Sequence, residues 1–203
     1  MRLGKPADLF LPTKIVTVLT FLYTGRKKSL FLCTFACQNN NEQAYGISET
    51  EFRRDFTDSV EDFARNRKLS NDVVWKLFKD YYDGYHFSAE SEGIYNPFSV
   101  LLAFDANEIG TYWNQTGTPD YLAGLLKRHV FPLTEIDGAR RTKNQLADIS
   151  IMRRDIIPLL YQAGYLTIGS YDDETRQFIL RFPNIEVKEG FRREFLNRHP
   201  HSH

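Results

Sequence analysis

The stretch SETEFRRDFTDSVEDFARNRKLSNDVVWKLFKDYYDG, residues 48–84, decides the fold class of this chain. It begins with Ser48 and, three residues later, Glu51, which is the Ser-x-x-Glu pattern of a helix capping box. Apolar residues then recur at helical spacing: Phe52, Phe56, Val60 and Phe63. The pattern predicts one helix over about 49–66.

A second helix is predicted directly after the first. Ser70 can cap its N-terminus, and Gly84 is a residue that commonly ends a helix. The apolar face between them would consist of Val73, Val74, Leu77, Phe78 and Tyr81. We therefore expect a helical hairpin, and a chain in which helices dominate.

Further helices are predicted where a cap precedes a proline. Asn96-Pro97 and Thr118-Pro119 each have a capping side chain followed by proline at the first helical position. A short helix over 156–163 has Pro158 in its first turn. Residues 131–148 show no such signals, and we expect loop and short extended segments there.

The chain's clearest β-hairpin signal comes near its end. Residues 165–170 and 177–182 read as strands, with a polar turn between them. Pro183-Asn184 then begins a last helix. Helix, hairpin and helix in this order predict a winged-helix-like end. The predicted fold class is mainly α with a small β-hairpin (α+β), a helical lid-like region preceding the winged-helix-like end.

The charge of the chain is unevenly distributed. The 203 residues include 26 Lys and Arg and 26 Asp and Glu, so the net charge is zero. Residues 1–41 contain six basic residues and one acidic residue, which leaves the rest with a net charge of −5. The overall balance removes the simplest case for nucleic-acid or membrane affinity. The sign change indicates a compositional junction.

The sequence divides into four predicted parts. Residues 1–43 form a basic leader, either two short strands or disordered, and 44–148 form the helical region. The winged-helix-like end covers 149–197, and 198–203 form a tail containing His199, His201 and His203. Alternate histidines could bind a metal, but a frayed tail is the favoured interpretation.

Two observations favour a cytoplasmic protein without a membrane span. The two cysteines, Cys33 and Cys37, are too few for a disulfide framework, which suits a reducing compartment. The apolar run over 15–24 is too short to cross a bilayer. Its β-favouring residues favour a strand over a signal peptide.

Sequence signatures of catalysis are weak or missing. The chain has no Gly-x-x-x-x-Gly-Lys-Ser/Thr phosphate loop. Glu186-Val-Lys188, with Asp172 or Asp173 upstream, resembles the Asp and Glu-x-Lys set of PD-(D/E)XK nucleases, in which the carboxylates bind Mg²⁺. That set needs a strand, whereas Asn184 begins a predicted helix. Asp105 mimics the magnesium Asp of a nucleotide hydrolase, but it also follows a predicted helix start. We assign no catalytic or metal-binding residue.

Five residues are candidates for contact with a partner. The aromatic residues Tyr82, Tyr85 and Trp113 could stack on bases or on another protein. Arg153 and Arg154 could contact phosphate. The competing interpretations are a packed helix end for the aromatic cluster and a solvated surface for the arginines.

Five separated motifs in a fixed order carry a family resemblance, which covers about residues 44–195. They are Tyr82-Asp-Gly-Tyr-His-Phe87, Tyr95-Asn-Pro-Phe-Ser-Val-Leu101, Tyr112-Trp113 with Thr116-Gly-Thr-Pro119, Pro158-Leu-Leu-Tyr-Gln162 with Gly164-Tyr-Leu166, and Phe182-Pro-Asn184 with Glu186-Val187. Together they resemble AAA-ATPase-like proteins, in which an N-terminal P-loop ATPase region precedes a C-terminal PD-(D/E)XK nuclease-like domain.

The resemblance implies a role without catalysis for this chain. The family's phosphate loop and magnesium Asp would lie upstream of the matched region, and ATP and Mg²⁺ would be cofactors of the intact protein. The chain is then expected to be an interior portion, with the ATPase region or a full-length homologue as its partner. The basic leader would be an out-of-frame translation or a misassigned start. The alternative is a winged-helix-like module that binds nucleic acid or protein, and a weaker alternative is the nuclease.

Overall fold

The computed structural model describes residues 15–24, 27–36, 46–86, 88–113, 133–147 and 155–193. Its first element is a two-stranded antiparallel sheet of β1 (Ile15–Thr24) and β2 (Lys27–Ala36). The register joins Ile15 to Ala36. The predicted strand over 15–24 therefore has a partner strand directly after it.

The predicted helix over 49–66 is two helices, α1 (Glu49–Asp55) and α2 (Thr57–Arg67). The capping box at the start of α1 is confirmed, since Ser48 accepts from the N–H of Glu51 and the Glu51 side chain accepts from the N–H of Ser48. The prediction of one helix was wrong at Phe56, whose ψ of 12° interrupts the helix. The apolar spacing continues across this break, so it gave no sign of it.

The third helix, α3 (Asn71–Tyr82), begins at the predicted cap, because Ser70 accepts from the N–H of Val73. Its buried residues are Val74, Phe78 and Tyr82. Val73, predicted to face inward, is 44% exposed. The helix ends before Gly84, which has a φ of +103°.

A two-residue sheet and a fourth helix complete the first core. Strands β3 (Ile47–Ser48) and β4 (Ile94–Tyr95) pair antiparallel, and α4 (Pro97–Ala106) follows. Asn96 caps α4 as predicted, by accepting from the N–H of Phe98. The first core contains Phe52, Val60, Phe63, Ala64, Val74, Phe78, Tyr82, Tyr95, Val100 and Ala103.

The second core contains short helices around a three-stranded sheet. In chain order its elements are α5 (Leu133–Ile136), β5 (Arg140–Arg141), α6 (Lys143–Ala147), α7 (Ile157–Gln162), β6 (Thr167–Asp172), β7 (Gln177–Arg181) and α8 (Ile185–Phe191). Their buried residues are Ile136, Ala139, Leu146, Ile156, Ile157, Leu160, Tyr161, Tyr165, Leu166, Ile168, Leu180, Phe182, Val187 and Phe191. The expectation of loop and short extended segments over 131–148 holds for β5 but was wrong for α5 and α6, which are short helices.

The sheet of the second core has the strand order β5-β7-β6, and all its pairs are antiparallel. A strand is thus followed by two helices and by a hairpin whose return strand pairs with that first strand. This end of the chain is winged-helix-like, and the described part of the chain has the predicted mainly α, α+β fold. Packing assigns β5 and α6 to this end, although both precede residue 149.

Candidate functional site

The two cores meet along a line of contacts that we call the seam. One side of the seam is the segment after α3 together with the segment after α4, and the other side is the start of β6 together with the start of α8. The seam residues are Asp83, Gly84, His86, Tyr112, Trp113, Thr167, Pro183, Asn184 and Glu186. Most of them belong to the motifs that carry the family resemblance.

The backbones of the two sides lie close together at Gly84. A Cβ atom placed there would lie 2.1 Å from the carbonyl oxygen of Pro183, and the φ of +103° is one that L side chains rarely adopt. The Asn184 side chain fixes this contact: its Nδ2 donates to the carbonyl oxygen of Asp83 at 3.0 Å, and its Oδ1 accepts from the N–H of Val187 at 3.0 Å. One side chain therefore caps α8 and joins the cores.

Thr167 makes a reciprocal contact with His86. The Thr167 hydroxyl accepts from the backbone N–H of His86 at 2.7 Å and donates to the His86 carbonyl at 3.0 Å. The His86 ring has Nδ1 at 2.7 Å from the Ser91 carbonyl and Nε2 at 2.9 Å from a nitrogen of Arg181. Because a carbonyl only accepts and a guanidinium only donates, these contacts assign the proton to Nδ1.

Glu186 is the buried charged group of the seam, with 1% of its surface exposed. Its Oε1 accepts from the backbone N–H groups of Tyr112 at 2.6 Å and Trp113 at 2.9 Å. Burial raises the pKa of Glu186 from 4.5 to about 7, and the backbone N–H of Trp113, the nearby Ser99 hydroxyl and the backbone N–H of Tyr112 oppose this rise. Its other oxygen, Oε2, and the buried Oγ of Ser99 on α4 each lack a hydrogen bond.

Three of the five predicted contact residues lie in or beside the seam. The Tyr82 hydroxyl accepts from the N–H of Gly110 at 3.0 Å and donates to its carbonyl at 3.2 Å. The Trp113 ring packs edge-on against Tyr165 of the second core, with centroids 4.6 Å apart. The Tyr85 hydroxyl is buried without a hydrogen bond.

These positions favour packing within the chain over contact with an outside partner for the three aromatic residues. Tyr82 has no exposed surface, and Tyr85 and Trp113 pack against the second core. Their contacts lie within the chain because the helix end and the segment after α4 are covered by α8 and β6. The other two candidates, Arg153 and Arg154, lie outside the described residues, as do the Thr118-Pro119 helix and the terminal histidines.

The structure does not bring the nuclease-like residues together. Glu186 lies in α8, as the cap at Asn184 predicts, and the Lys188 ammonium binds Asp137 at 2.6 Å on the surface. Asp172 binds Arg140 at 2.7 Å and accepts from the N–H of Glu174 in the hairpin turn. Among the described residues, no group of three or more His, Cys, Asp or Glu side chains could hold a metal ion.

Sequence reasoning missed the joining roles of Thr167, Asn184 and Glu186. Asn184 was recognised as a cap, and a cap does not reveal that the same amide also binds a distant carbonyl. The burial of Glu186 was not visible because its two N–H partners lie more than 70 residues earlier in the chain. The available signal for a special role of Glu186 was its place within one of the five motifs that carry the family resemblance.

No family model matches the chain, and no solved structure matches it. A protein of Azotobacter chroococcum mcd 1, described as an uncharacterized protein in the vnfD 5' region, is 35% identical over 121 residues. The match covers 59% of this chain and 23% of that relative, so the chain spans about a quarter of the curated relative's length. Within the described residues, no helix is long and apolar enough to cross a membrane.

Proposed function

We propose that this chain is a non-catalytic coupling region of an AAA-ATPase-like protein, one that packs on a nucleotide-binding domain and transmits its state. The observation that carries the proposal is that residues of the family motifs form the contacts between the two cores. Gly84, Trp113, Asn184 and Glu186 join the two cores of the chain to each other. Residues of this kind position one structural unit relative to another.

The length of the relative supports a role within a longer protein. The matched segment is 23% of that protein, which leaves most of its chain for other activities. ATP and Mg²⁺ would bind in the ATPase region of the intact protein, and that region or a full-length homologue would be the partner. A cytoplasmic location belongs to the same proposal, since two cysteines suit a reducing compartment.

Binding to a full-length member of the AAA-ATPase-like family tests this function. The purified chain alone should hydrolyse no ATP with Mg²⁺. Mixed with the full-length protein, it should co-elute in size-exclusion chromatography and change the rate of ATP hydrolysis. Gly84→Ala, which disturbs the seam, should weaken both effects, whereas the exposed Gly138→Ala serves as a matched control. ATP hydrolysis by the chain alone, or no complex, would contradict the proposal.

The second candidate function is nucleic-acid binding by the winged-helix-like end, which the β5-β7-β6 sheet favours. The charges of this end weigh against it. The hairpin turn includes Asp173 and Glu174, and Arg140 and Arg141 are each paired with an aspartate. The residues of α7 are mostly buried. A phosphate-binding surface needs unpaired cations that can displace counterions.

A gel shift with duplex and single-stranded DNA decides between these two candidates. Phosphate binding would give a complex whose affinity falls steeply with rising salt and that Arg153→Ala and Arg154→Ala weaken. Under the coupling proposal we expect no shift at physiological salt. A strong, salt-dependent shift would favour the second candidate.

A further inference from the structure

The seam contains a buried carboxyl group, that of Glu186. Its structural role alone does not explain why an ionisable group is used at this position. Two backbone N–H groups reach Oε1 of Glu186, and an asparagine or glutamine oxygen could accept both without a charge. Oε2 has no hydrogen bond, although it is buried. An unpaired charge at such a site is costly unless the group takes up a proton.

Among the described residues, the groups that interact with Glu186 provide no compensating positive charge. They are the phenols Tyr82 at the end of α3, Tyr85 after it, and Tyr112 after α4. Burial raises the pKa of each phenol, and the Glu186 charge adds to the rise. The cations nearby on α8 and beyond are engaged elsewhere: Lys188 binds Asp137, and Arg193 donates to Thr111 Oγ1 at 3.2 Å. The carboxylate therefore has two backbone N–H donors on Oε1, the Ser99 hydroxyl nearby and aromatic rings around it.

We propose that Glu186 makes the seam a proton-controlled latch, in which the protonated carboxyl holds the two cores together and the ionised carboxylate loosens them. The inference goes beyond the coupling function and does not depend on which partner the chain binds. The proton comes from solvent and resides on Oε2. Oε1 then keeps both N–H bonds, and the new O–H can donate to Oγ of Ser99, a hydroxyl close enough to Glu186 to influence its pKa.

The direction of the pH effect follows from linkage. The pKa of Glu186 is raised to about 7 in the closed seam, and on opening it would return to its ordinary value of 4.5. Below pH 4.5 both states are protonated, and closure is fully favoured. Between pH 4.5 and 7 the open state ionises while the closed state does not, so closure weakens as pH rises. Above pH 7 the loss is complete, roughly 100-fold or more in the closing equilibrium.

The two tryptophans of the chain allow the opening of the seam with pH to be measured without an added probe. Trp113 donates its backbone N–H to Glu186, whereas Trp75 packs edge-on against Phe52 within the first core. In a Trp75→Phe variant, Trp113 is the sole indole emitter. Its emission should shift as the pH rises from 4.5 towards 7, the range over which closure weakens, because the ring gains contact with water. In Trp113→Phe, the remaining Trp75 should change little over pH 5–9.

Substitutions then assign the transition to one group. Glu186→Gln in the Trp75→Phe background keeps an acceptor for both N–H groups and should abolish the transition. Glu189→Gln, on the exposed side of α8, should leave it unchanged. His86→Gln and Asp83→Asn should also leave it in place, although His86 lies in the seam and burial raises the pKa of Asp83.

Two results would overturn the latch. One is Trp113 emission that does not change between pH 5 and 9. The other is a transition that survives Glu186→Gln and disappears in His86→Gln or Asp83→Asn. Should Glu186→Gln lack the parent's circular dichroism spectrum at pH 5.5, ¹³C-glutamate labelling of the Trp75→Phe protein replaces it. One carboxyl resonance titrating near pH 7 supports the latch, and titration of every resonance below pH 5.5 refutes it.

Discussion

The first core, around α1 to α4, is filled mainly with aromatic rings, whereas the second core, around the three-stranded sheet, is filled mainly with aliphatic side chains. In the first core Phe78 stacks on Phe104 with centroids 4.3 Å apart and Phe52 approaches Tyr95 at 4.4 Å. The second core depends on a pairing between distant segments, Arg141 with Phe178. The first core also contains a long-range pair, Ile47 with Tyr95, but local signals mark the starts of three of its helices. The comparison indicates that local signals define more of the first core than of the second.

The largest expected loss of folding stability comes from truncating one buried side chain in each core. Phe78→Ala should destabilise the fold by about 3–5 kcal/mol, because the lost ring contacts Phe52, Phe63, Tyr82 and Phe104 and the cavity remains. Leu160→Ala, also 0% exposed, should cost about 2–5 kcal/mol. Urea unfolding measures both. A Phe78→Ala loss below that of Leu160→Ala would show that the rings add little to the first core.

A smaller loss of stability is expected from two Gly→Ala variants, whose comparison distinguishes backbone strain from the contact across the seam. Gly84 and Gly138 both have positive φ, +103° and +96°, but an added Cβ meets the Pro183 carbonyl at Gly84 and nothing within 4 Å at Gly138. Both Ala variants should lose about 1–3 kcal/mol to strain. Gly84→Ala should lose about 1–3 kcal/mol more, because the two cores must move apart. Equal thermal unfolding temperatures for the two variants would contradict a tight seam.

The smallest effect compares two helix caps. Asn96 caps α4, whereas Asn184 caps α8 and also donates to the Asp83 carbonyl across the seam. Asn96→Ala should cost about 1 kcal/mol. Asn184→Ala should cost about 1 kcal/mol more, the usual net contribution of one hydrogen bond. Chemical denaturation of the two variants side by side measures the difference, and identical losses would leave Asn184 as a cap alone.

The sequence predicted most of the first core because its signals are local. Ser48, Ser70 and Asn96 each mark a helix start that the structure has. The break at Phe56 escaped, because the apolar residues keep helical spacing on both sides of it. In the second core the hairpin and the cap at Asn184 were visible, but β5 is two residues long and is defined by its partner β7.

The seam could be predicted only as a set of motifs. The family resemblance rests on motifs that include Gly84, Trp113, Asn184 and Glu186. The order of these residues along the chain does not reveal that they meet. Contacts such as Asn184 to Asp83 join residues about 100 positions apart, so no local sequence pattern reveals them. The burial that raises the pKa of Glu186 likewise depends on segments distant in sequence.

The central claim is that the seam makes the two cores one unit. Urea unfolding at pH 5.5, followed by tryptophan emission, tests it with two single-tryptophan proteins. Trp113→Phe leaves Trp75 in the first core, and Trp75→Phe leaves Trp113, which packs on Tyr165 of the second core. A joined molecule gives the same midpoint and slope in both proteins, each matching its own circular dichroism transition. Separate midpoints for Trp75 and Trp113 would show that the cores unfold independently and would contradict the account.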